Sequence, residues 1–397
     1  MRKFSAHFIF TGNGTILEKG IIVLTDQGVV ADIIDTNGKL EEKAGVEFYS
    51  GVLTPGFVNA HCHLELSHLR AAFGERSGLP EFLKNVAQRR NHNDPEILVE
   101  ARNADHELWR NGVVAVGDIS NTNATFPIKL ESKIAYHTFV EALGFSPDRV
   151  EKAFGLACQC YDQAKEMGLS ASIVPHSPYA ISKELFDKIT SFAISENSVL
   201  SMHSQESSAE DDLYRSGDGE IFRHLTENLN IDLTTFRPSG KGALESVIGN
   251  LPIENKLLLV HNIRTAQGDI DLISKTRPLF QTWFVLCPES NLFIENLLPD
   301  IELFRKNKLQ ICLGTDSLSS NHKLSILDEM KTIQSHFPSI PLIEIVSWAT
   351  INGARALEMD SWAGTIEIGK RPGINLITGM DLQQLRLQPQ SQIRKLI

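Results

Sequence analysis

Two histidines one residue apart, His61-Cys62-His63, close the apolar run Pro55-Gly56-Phe57-Val58-Asn59-Ala60. Side chains alternate faces along a strand, so both imidazoles project to one side and Cys62 to the other. Two imidazoles on one face can share a metal ion. Alone the pair is weak, because packed or solvated histidines recur at the same spacing. Weight comes from three further apolar runs, which end in His203, His261 and Asp316. Three histidines and a carboxylate suit zinc, with ferrous iron as the alternative, and His61, His63, His203 and Asp316 are the expected ligands of one divalent ion. Such an ion lowers the pKa of water and supplies hydroxide near neutral pH. Asp316 would take a proton from that water, and His261 would steady the developing charge. Glu206, in His203-Ser204-Gln205-Glu206, lies just past a strand end and would serve as the acid if burial raises its pKa. Each residue also has a plainer reading: a lone core histidine is commonly just hydrogen-bonded, and a lone Asp316 can be a turn residue or helix cap. Their common placement at strand ends, in order, is what points to hydrolytic metal chemistry.

These residues must be brought together by the elements that carry them. Strand candidates fall at 56–63, 113–118, 134–141, 170–176, 199–203, 256–261, 281–287 and 310–316, with helix-period segments such as 94–111, 147–168 and 183–196 between most of them. Buried strands alternating with helices predict an α/β fold, a (β/α)8 TIM barrel, in which all C-terminal strand ends share one face. A doubly wound open sheet is the competing architecture. It would usually carry a phosphate loop, and neither G-x-G-x-x-G nor a Walker A motif is present.

The first fifty residues are β-rich, with short strand candidates at 8–10, 20–24 and 29–34, and the tail returns to strands and turns. The expected division is a small β-sandwich from 1–51 and 365–397 around a barrel spanning 52–364. The stretch around 207–255 is too long for an ordinary loop and reads as an insertion, either a lid or a surface excursion. The net charge of −11 across 397 residues argues against a nucleic-acid or anionic-membrane partner, and no apolar run is long enough to span a bilayer. Five scattered cysteines and no signal-peptide pattern predict a reducing, cytoplasmic setting; Cys158-Gln159-Cys160 reads as small helix thiols, since no second pair completes a site. The expected partner is a small-molecule substrate, with a homodimer left open.

Residues 52–378 resemble the amidohydrolase superfamily, in its subgroup of aminohydrolases that includes adenosine-type, guanine and cytosine deaminases and the triazine hydrolases. The matching motifs are Pro55–His63, His203–Glu206, Val260-His261, Cys287-Pro288-Glu289-Ser290-Asn291, Gly314-Thr315-Asp316-Ser317 and Ala349–Ala354. The resemblance implies a mononuclear zinc barrel. Binuclear relatives carry a lysine at the end of the fourth strand, where this chain reads Pro175-His176-Ser177-Pro178. The run His63-Leu64-Glu65-Leu66-Ser67-His68-Leu69-Arg70 is similar to aminodeoxyfutalosine deaminases, which implies substrate contacts from Glu65 and His176. Two departures stand out. Gly369-Lys370-Arg371-Pro372-Gly373-Ile374-Asn375-Leu376 replaces the usual Gly-x-x-Ala-Asp-Leu-Val, and the 206–261 stretch is longer than in compact relatives. The expected activity is metal-dependent hydrolytic deamination of an adenine-type nucleoside (aminodeoxyfutalosine- or adenosine/S-adenosylhomocysteine-like) with release of ammonia. Guanine or cytosine deamination, chlorotriazine hydrolysis and cyclic-amide opening are alternatives on the same site, and a non-catalytic scaffold is a remote one. The separate H-x-E/P-C-x-x-C deaminase design is excluded, because no P-C-x-x-C follows His63-Leu64-Glu65.

Overall fold

Glycine and asparagine turns break the apolar N-terminal run into β1 (Arg2–Phe10), β2 (Ile16–Glu18), β3 (Ile21–Leu24), β4 (Val30–Ile34) and β5 (Val46–Pro55). The structure is a computed structural model and describes residues 1–41, 44–90, 95–146 and 149–397. The expected strand at 8–10 is the end of a longer β1, and β5 had no counterpart among the expected strands. A single residue, Gly56, separates β5 from β6 (Phe57–Cys62), which leads into His63.

Parallel strands follow: β7 (Val113–Ser120), β8 (Ala135–Ala142), β9 (Ser170–Pro175), β10 (Leu200–Ser204), β11 (Leu257–His261), β12 (Thr282–Leu286) and β13 (Gln310–Leu313). The expected helices are present as Glu96–Arg110, Val150–Glu166 and Lys183–Glu196. The expected starts at 94 and 147 lie outside the described residues. Strands β6 to β9 form one four-stranded parallel sheet and β10 to β13 another. Most of their residues are buried on both faces, as continuous Val/Ile/Leu runs covered by helices require. Hydrogen bonds link the two sheets at both edges. His203 N–H donates to the carbonyl of His176 (2.9 Å), and the N–H groups of Thr315 and Asp316 both donate to the carbonyl of His61 (3.1 Å each).

The tail adds β14 (Ile374–Thr378), antiparallel to β5, and β15 (Gln392–Lys395). Together with the N-terminal strands they make one seven-stranded sheet of order β15-β14-β5-β1-β3-β4, with β2 beside β1. Its apolar cluster, including Phe4, Ile22, Leu53, Ile366 and Ile374, is separate from the core packed around the parallel strands. Between β10 and β11 the chain forms helices Ser208–Ser216 and Glu220–Arg223, a π-helical turn His224–Asn228 and helix Ala243–Val247. Among the described residues no helix is long and apolar enough to cross a membrane.

Candidate metal centre and catalytic pocket

The sequence brings its donors together by ending apolar strands on them. His61 sits in β6, His63 follows it, His203 lies in β10 and His261 ends β11, while Asp316 follows β13. Gly314 makes the last approach possible. A Cβ there would stand 2.9 Å from His61 Cβ and 3.0 Å from both Cys287 Sγ and the His61 carbonyl oxygen. Two of the strand-end residues also take left-handed backbone, with φ of 75° at His261 and 57° at Asp316. Non-glycine residues adopt this region at a cost and chiefly where surrounding contacts hold them there.

His61 Nε2 lies 3.1 Å from His63 Nε2, and His63 Nε2 lies 3.3 Å from His203 Nε2. Asp316 Oδ1 is 3.4 Å from His63 Nε2 and 3.7 Å from His61 Nε2. Four ligands about 2.0–2.1 Å from a tetrahedral zinc are separated by edges of about 3.3–3.4 Å. The donor set therefore fits one such ion. Protonation agrees with that role. Burial, reinforced by His61, pushes the His63 imidazole down to about 3. Burial, with His176 and His61, holds His203 well below its ordinary value. For Asp316 burial acts upward, but the hydrogen bond to His61 and the nearby imidazoles of His63 and His261 keep it well below the usual carboxylate range. Metal-ready histidines are neutral and the aspartate is ionised.

A surrounding layer fixes these groups. His203 Nδ1 donates to the His176 carbonyl (2.9 Å), which leaves Nε2 free to ligate. Ser290 and Ser320 hydroxyls donate to Asp316 Oδ2 (2.7 and 2.6 Å), which turns Oδ1 toward the histidines. His261 Nδ1 donates to Asn291 Oδ1 (2.8 Å), so its Nε2 faces inward, 3.6 Å from Glu206 Oε2. Both Ser290 and Asn291 ride on the short helix Pro288–Ile294. Glu329 ties that helix to the Asp316 loop, accepting from Glu289 N–H (2.8 Å) and from Asn321 Nδ2 (2.9 Å), while Asn321 also donates to the Thr315 carbonyl.

Glu206 is 4 % exposed, and its Oε2 lies 3.6 Å from His261 Nε2. Burial, with repulsion from Asp316 and Glu295, pushes its carboxyl well above the usual range, toward the protonated form. Its backbone is set by a capping box. Ser207 caps helix Ser208–Ser216, and Glu210 accepts from the N–H groups of Gln205, Glu206 and Ser207 (3.2, 2.6 and 3.1 Å).

His63, His203, His261, Glu206 and Asp316 line one cavity of about 220 Å³, and His176 lines it with them. His176 Nδ1 donates to Glu141 Oε1 (2.8 Å). Burial acts to lower the imidazole, but the Glu141 charge and hydrogen bond raise it above its ordinary value. Glu65 does not line the cavity. Its carboxylate accepts from Asn121 N–H, from Thr122 N–H and hydroxyl, and from Arg90 (2.7–3.1 Å), and it is Arg90 and Asn121 that reach the cavity wall. Sequence reading gave no role to Glu141 and Arg90, and named Asn291 only within the Cys287–Asn291 motif. Glu141 closes an expected strand just as the histidines close theirs, and that was its available signal. The 207–255 insertion also reaches the site, since His224, Leu225 and Leu229 form part of the wall.

Comparison with known proteins agrees with this geometry. The sequence model of the amidohydrolase family matches residues 52–396. An adenosine deaminase of Helicobacter pylori is 28% identical over 379 residues, covering 89% of this chain and 87% of that protein. An aminodeoxyfutalosine deaminase of Nitratiruptor sp. is 27% identical over 385 residues, covering 90% of each chain. In structure, the Helicobacter pylori aminofutalosine deaminase complexed with methylthio-coformycin superposes with a TM-score of 0.79 at 24% identity, covering 96% of this chain and 93% of that one. With its motifs in register from strand to strand and its fold of the TIM-barrel type, this chain belongs to the amidohydrolase family.

Proposed function

We propose that this protein is a metal-dependent hydrolytic deaminase that replaces the exocyclic amine of an adenine-type nucleoside with oxygen and releases ammonia. The observation that carries the reading is the buried Glu206 carboxyl, pushed upward in pKa, beside His261 at the edge of a His/His/His/Asp donor set. His61, His63, His203 and Asp316 would hold one divalent ion, with zinc favoured by the imidazole-rich set and ferrous iron the alternative. Bound there, the ion supplies Lewis acidity and makes water acidic enough to attack at neutral pH.

The chain's own residues do the rest. Asp316 accepts a proton from the attacking water as its oxygen adds to the ring carbon that bears the amine. Glu206 gives its proton to the adjacent ring nitrogen. His261, held by Asn291, steadies the charge that develops on the incoming oxygen. The proton held by Asp316 then passes to the amine, the carbon–nitrogen bond breaks as the remaining hydroxyl proton returns to the Glu206 carboxylate, and ammonia leaves a keto product. His176, oriented by Glu141, would contact the base or sugar from the cavity wall. Glu65 serves that wall indirectly, by holding Arg90 and Asn121.

The two parallel sheets are read as one closed (β/α)8 barrel over 52–364, supported by the hydrogen bonds at both edges. Residues 1–51 and 365–397 are read as a small sandwich, supported by their separate apolar cluster. Five unpaired cysteines favour a cytoplasmic setting. The test is ammonia release from a panel of aminopurine nucleosides, aminopyrimidines and pterins, with chloride release from a chlorotriazine and ring opening of a cyclic amide as contrasts. Ammonia from the adenine nucleosides is expected. No ammonia from any member would sink the deaminase reading.

A further inference from the structure

The His63 imidazole has no orienting partner of its own. His203 is held through its Nδ1 and Asp316 through two hydroxyls, whereas among the described residues nothing is hydrogen-bonded to His63 Nδ1. Its aim therefore depends on its backbone, and the sheet holds that backbone poorly. The β6–β7 ladder loses register between Asn59 and Cys62 and resumes only with Cys62 opposite Asp118. A side chain takes over where the ladder fails. Asp118 Oδ1 accepts from the N–H of Leu64 (2.8 Å), the first amide after His63. Behind Asp118 stands Lys129, on helix Phe126–Glu131, with its Nζ 2.7 Å from Asp118 Oδ2. The same ammonium donates to Ser120 Oγ (2.8 Å) and Thr138 Oγ1 (3.1 Å), so three N–H groups face three oxygens. Both charged side chains are fully buried, and neither lines the catalytic cavity.

A buried ion pair is a poor source of stability, because desolvation of its two charges offsets their attraction. This one has a different use. We propose that Asp118 and Lys129 are positioning residues of the metal centre, Asp118 fixing the His63–Leu64 peptide and Lys129 fixing Asp118. The inference rests on the metal-centre reading and deepens it. Its physical route is short. The bond to Leu64 N–H sets the plane of the peptide that follows His63, where His63 has a ψ of 85°. The imidazole rides on the same Cα, and a ligand set tolerates displacements of only about 0.5 Å. A buried acceptor with two oxygens serves both neighbours, one oxygen on the amide and one on the ammonium. An apolar side chain at position 118 would pack as firmly but would leave Leu64 N–H without an acceptor, and the peptide free to turn. On the opposite edge the His61 carbonyl is already gripped by the Thr315 and Asp316 N–H groups. The two histidines of this segment thus have separate anchors, and that of His63 is the ion pair.

The experiment compares two double variants of the full chain that remove both charges, since uncharged replacement of a buried ion pair is often neutral for stability. Asp118→Asn with Lys129→Met keeps an oxygen for Leu64 N–H. Asp118→Val with Lys129→Met does not. Each is measured for thermal melting, zinc affinity under chelator competition, the visible absorption bands of the cobalt-substituted protein, and kcat and KM for an adenine nucleoside at saturating zinc. The asparagine double is expected to bind zinc within about threefold of wild type and to keep its cobalt bands. The valine double is expected to melt cooperatively, to bind zinc about 10- to 100-fold more weakly, to shift the cobalt bands, and to lose about tenfold in kcat with KM near wild type. Should it not melt cooperatively, Asp118→Ala with Lys129→Met takes its place with the same expected readings. Wild-type zinc affinity and cobalt bands in a folded variant that lacks the acceptor would overturn the proposal, and so would equal losses in both doubles. A wild-type protein that binds zinc but deaminates nothing would remove the deaminase reading and leave the positioning role standing on zinc affinity and cobalt bands. A wild-type protein that binds neither metal would bring down both.

Discussion

Gly314→Ala is the sharpest test of how the metal centre is built. The added methyl would lie 2.9 Å from His61 Cβ and 3.0 Å from Cys287 Sγ and the His61 carbonyl oxygen. Non-bonded carbon contacts are comfortable from about 3.5 Å, so the neighbours must yield by roughly 0.5 Å. Overpacking of this kind costs about 1–3 kcal/mol, which a folded core tolerates. The donor set is less forgiving. A displacement of about 0.5 Å is the margin within which a constellation still functions. The same strain falls on the two N–H groups of Thr315 and Asp316 that grip the His61 carbonyl. We expect a folded variant with metal affinity lowered about 10- to 100-fold, and kcat/KM lowered at least as much. The assays are metal stoichiometry under chelator competition, circular dichroism melting and steady-state deamination. The same substitution at Gly155, inside helix Val150–Glu166 with nothing within 4 Å of the new methyl, should instead stabilise by about 0.5–1 kcal/mol and leave metal binding alone. Wild-type metal affinity and turnover in Gly314→Ala would refute the idea that backbone closeness at this residue sets the ligand geometry.

Other outcomes follow from the same geometry. Glu206→Gln should retain metal and substrate binding but lose about 10²–10⁴ in kcat, because an amide cannot transfer the proton; near-full activity would show the acid lies elsewhere. With the Glu206 pKa raised well above the ordinary value, the enzyme is active while the carboxyl stays protonated, so kcat should fall as pH rises through that raised pKa, and the limb should vanish from the residual activity of the Gln variant. His203→Ala should lose metal and turnover together, read by elemental analysis; a stoichiometric ion in that variant would remove His203 from the ligand set. Glu329→Gln sets an amide N–H₂ against one of two donors, Glu289 N–H or Asn321 Nδ2, and should cost about 1–3 kcal/mol in stability. It should also lower kcat more than it changes KM, and an equal change in both would confine Glu329 to a purely structural role.

The parts of the site legible in sequence were those governed by local repetition. Strand alternation put His61 and His63 on one side, and apolar runs ending in His203, His261 and Asp316 marked strand ends that the fold gathers into one cavity. What escaped was set by neighbours distant in sequence. The hydrogen bond from His261 to Asn291 spans 30 residues, and that from His176 to Glu141 spans 35. No spacing rule connects either pair before the strands are laid side by side. Glu65 shows the opposite limit. A carboxylate two residues past His63 was expected to reach substrate, yet the backbone turns at Leu64–Leu69 and delivers it to four donors behind the wall. The insertion was visible by length, but its apolar contribution to the cavity depended on where His224–Asn228 came to rest.

The junction at Gly56 couples the histidine pair to the far end of the polypeptide. β5 runs through that one residue into β6, and its outer neighbour is β14, where Asn375 lies 320 residues beyond Pro55. Gly56 N–H itself donates to the carbonyl of Pro372 (3.0 Å). On the ribosome, β5, which leads directly into the segment presenting His61 and His63, therefore emerges early and keeps the edge that β14 will cover unpaired for nearly the whole of translation. Pairing this remote is slow and leaves strands exposed meanwhile. The strand that leads into the histidine pair is thus completed only once residues 372–378 have been made.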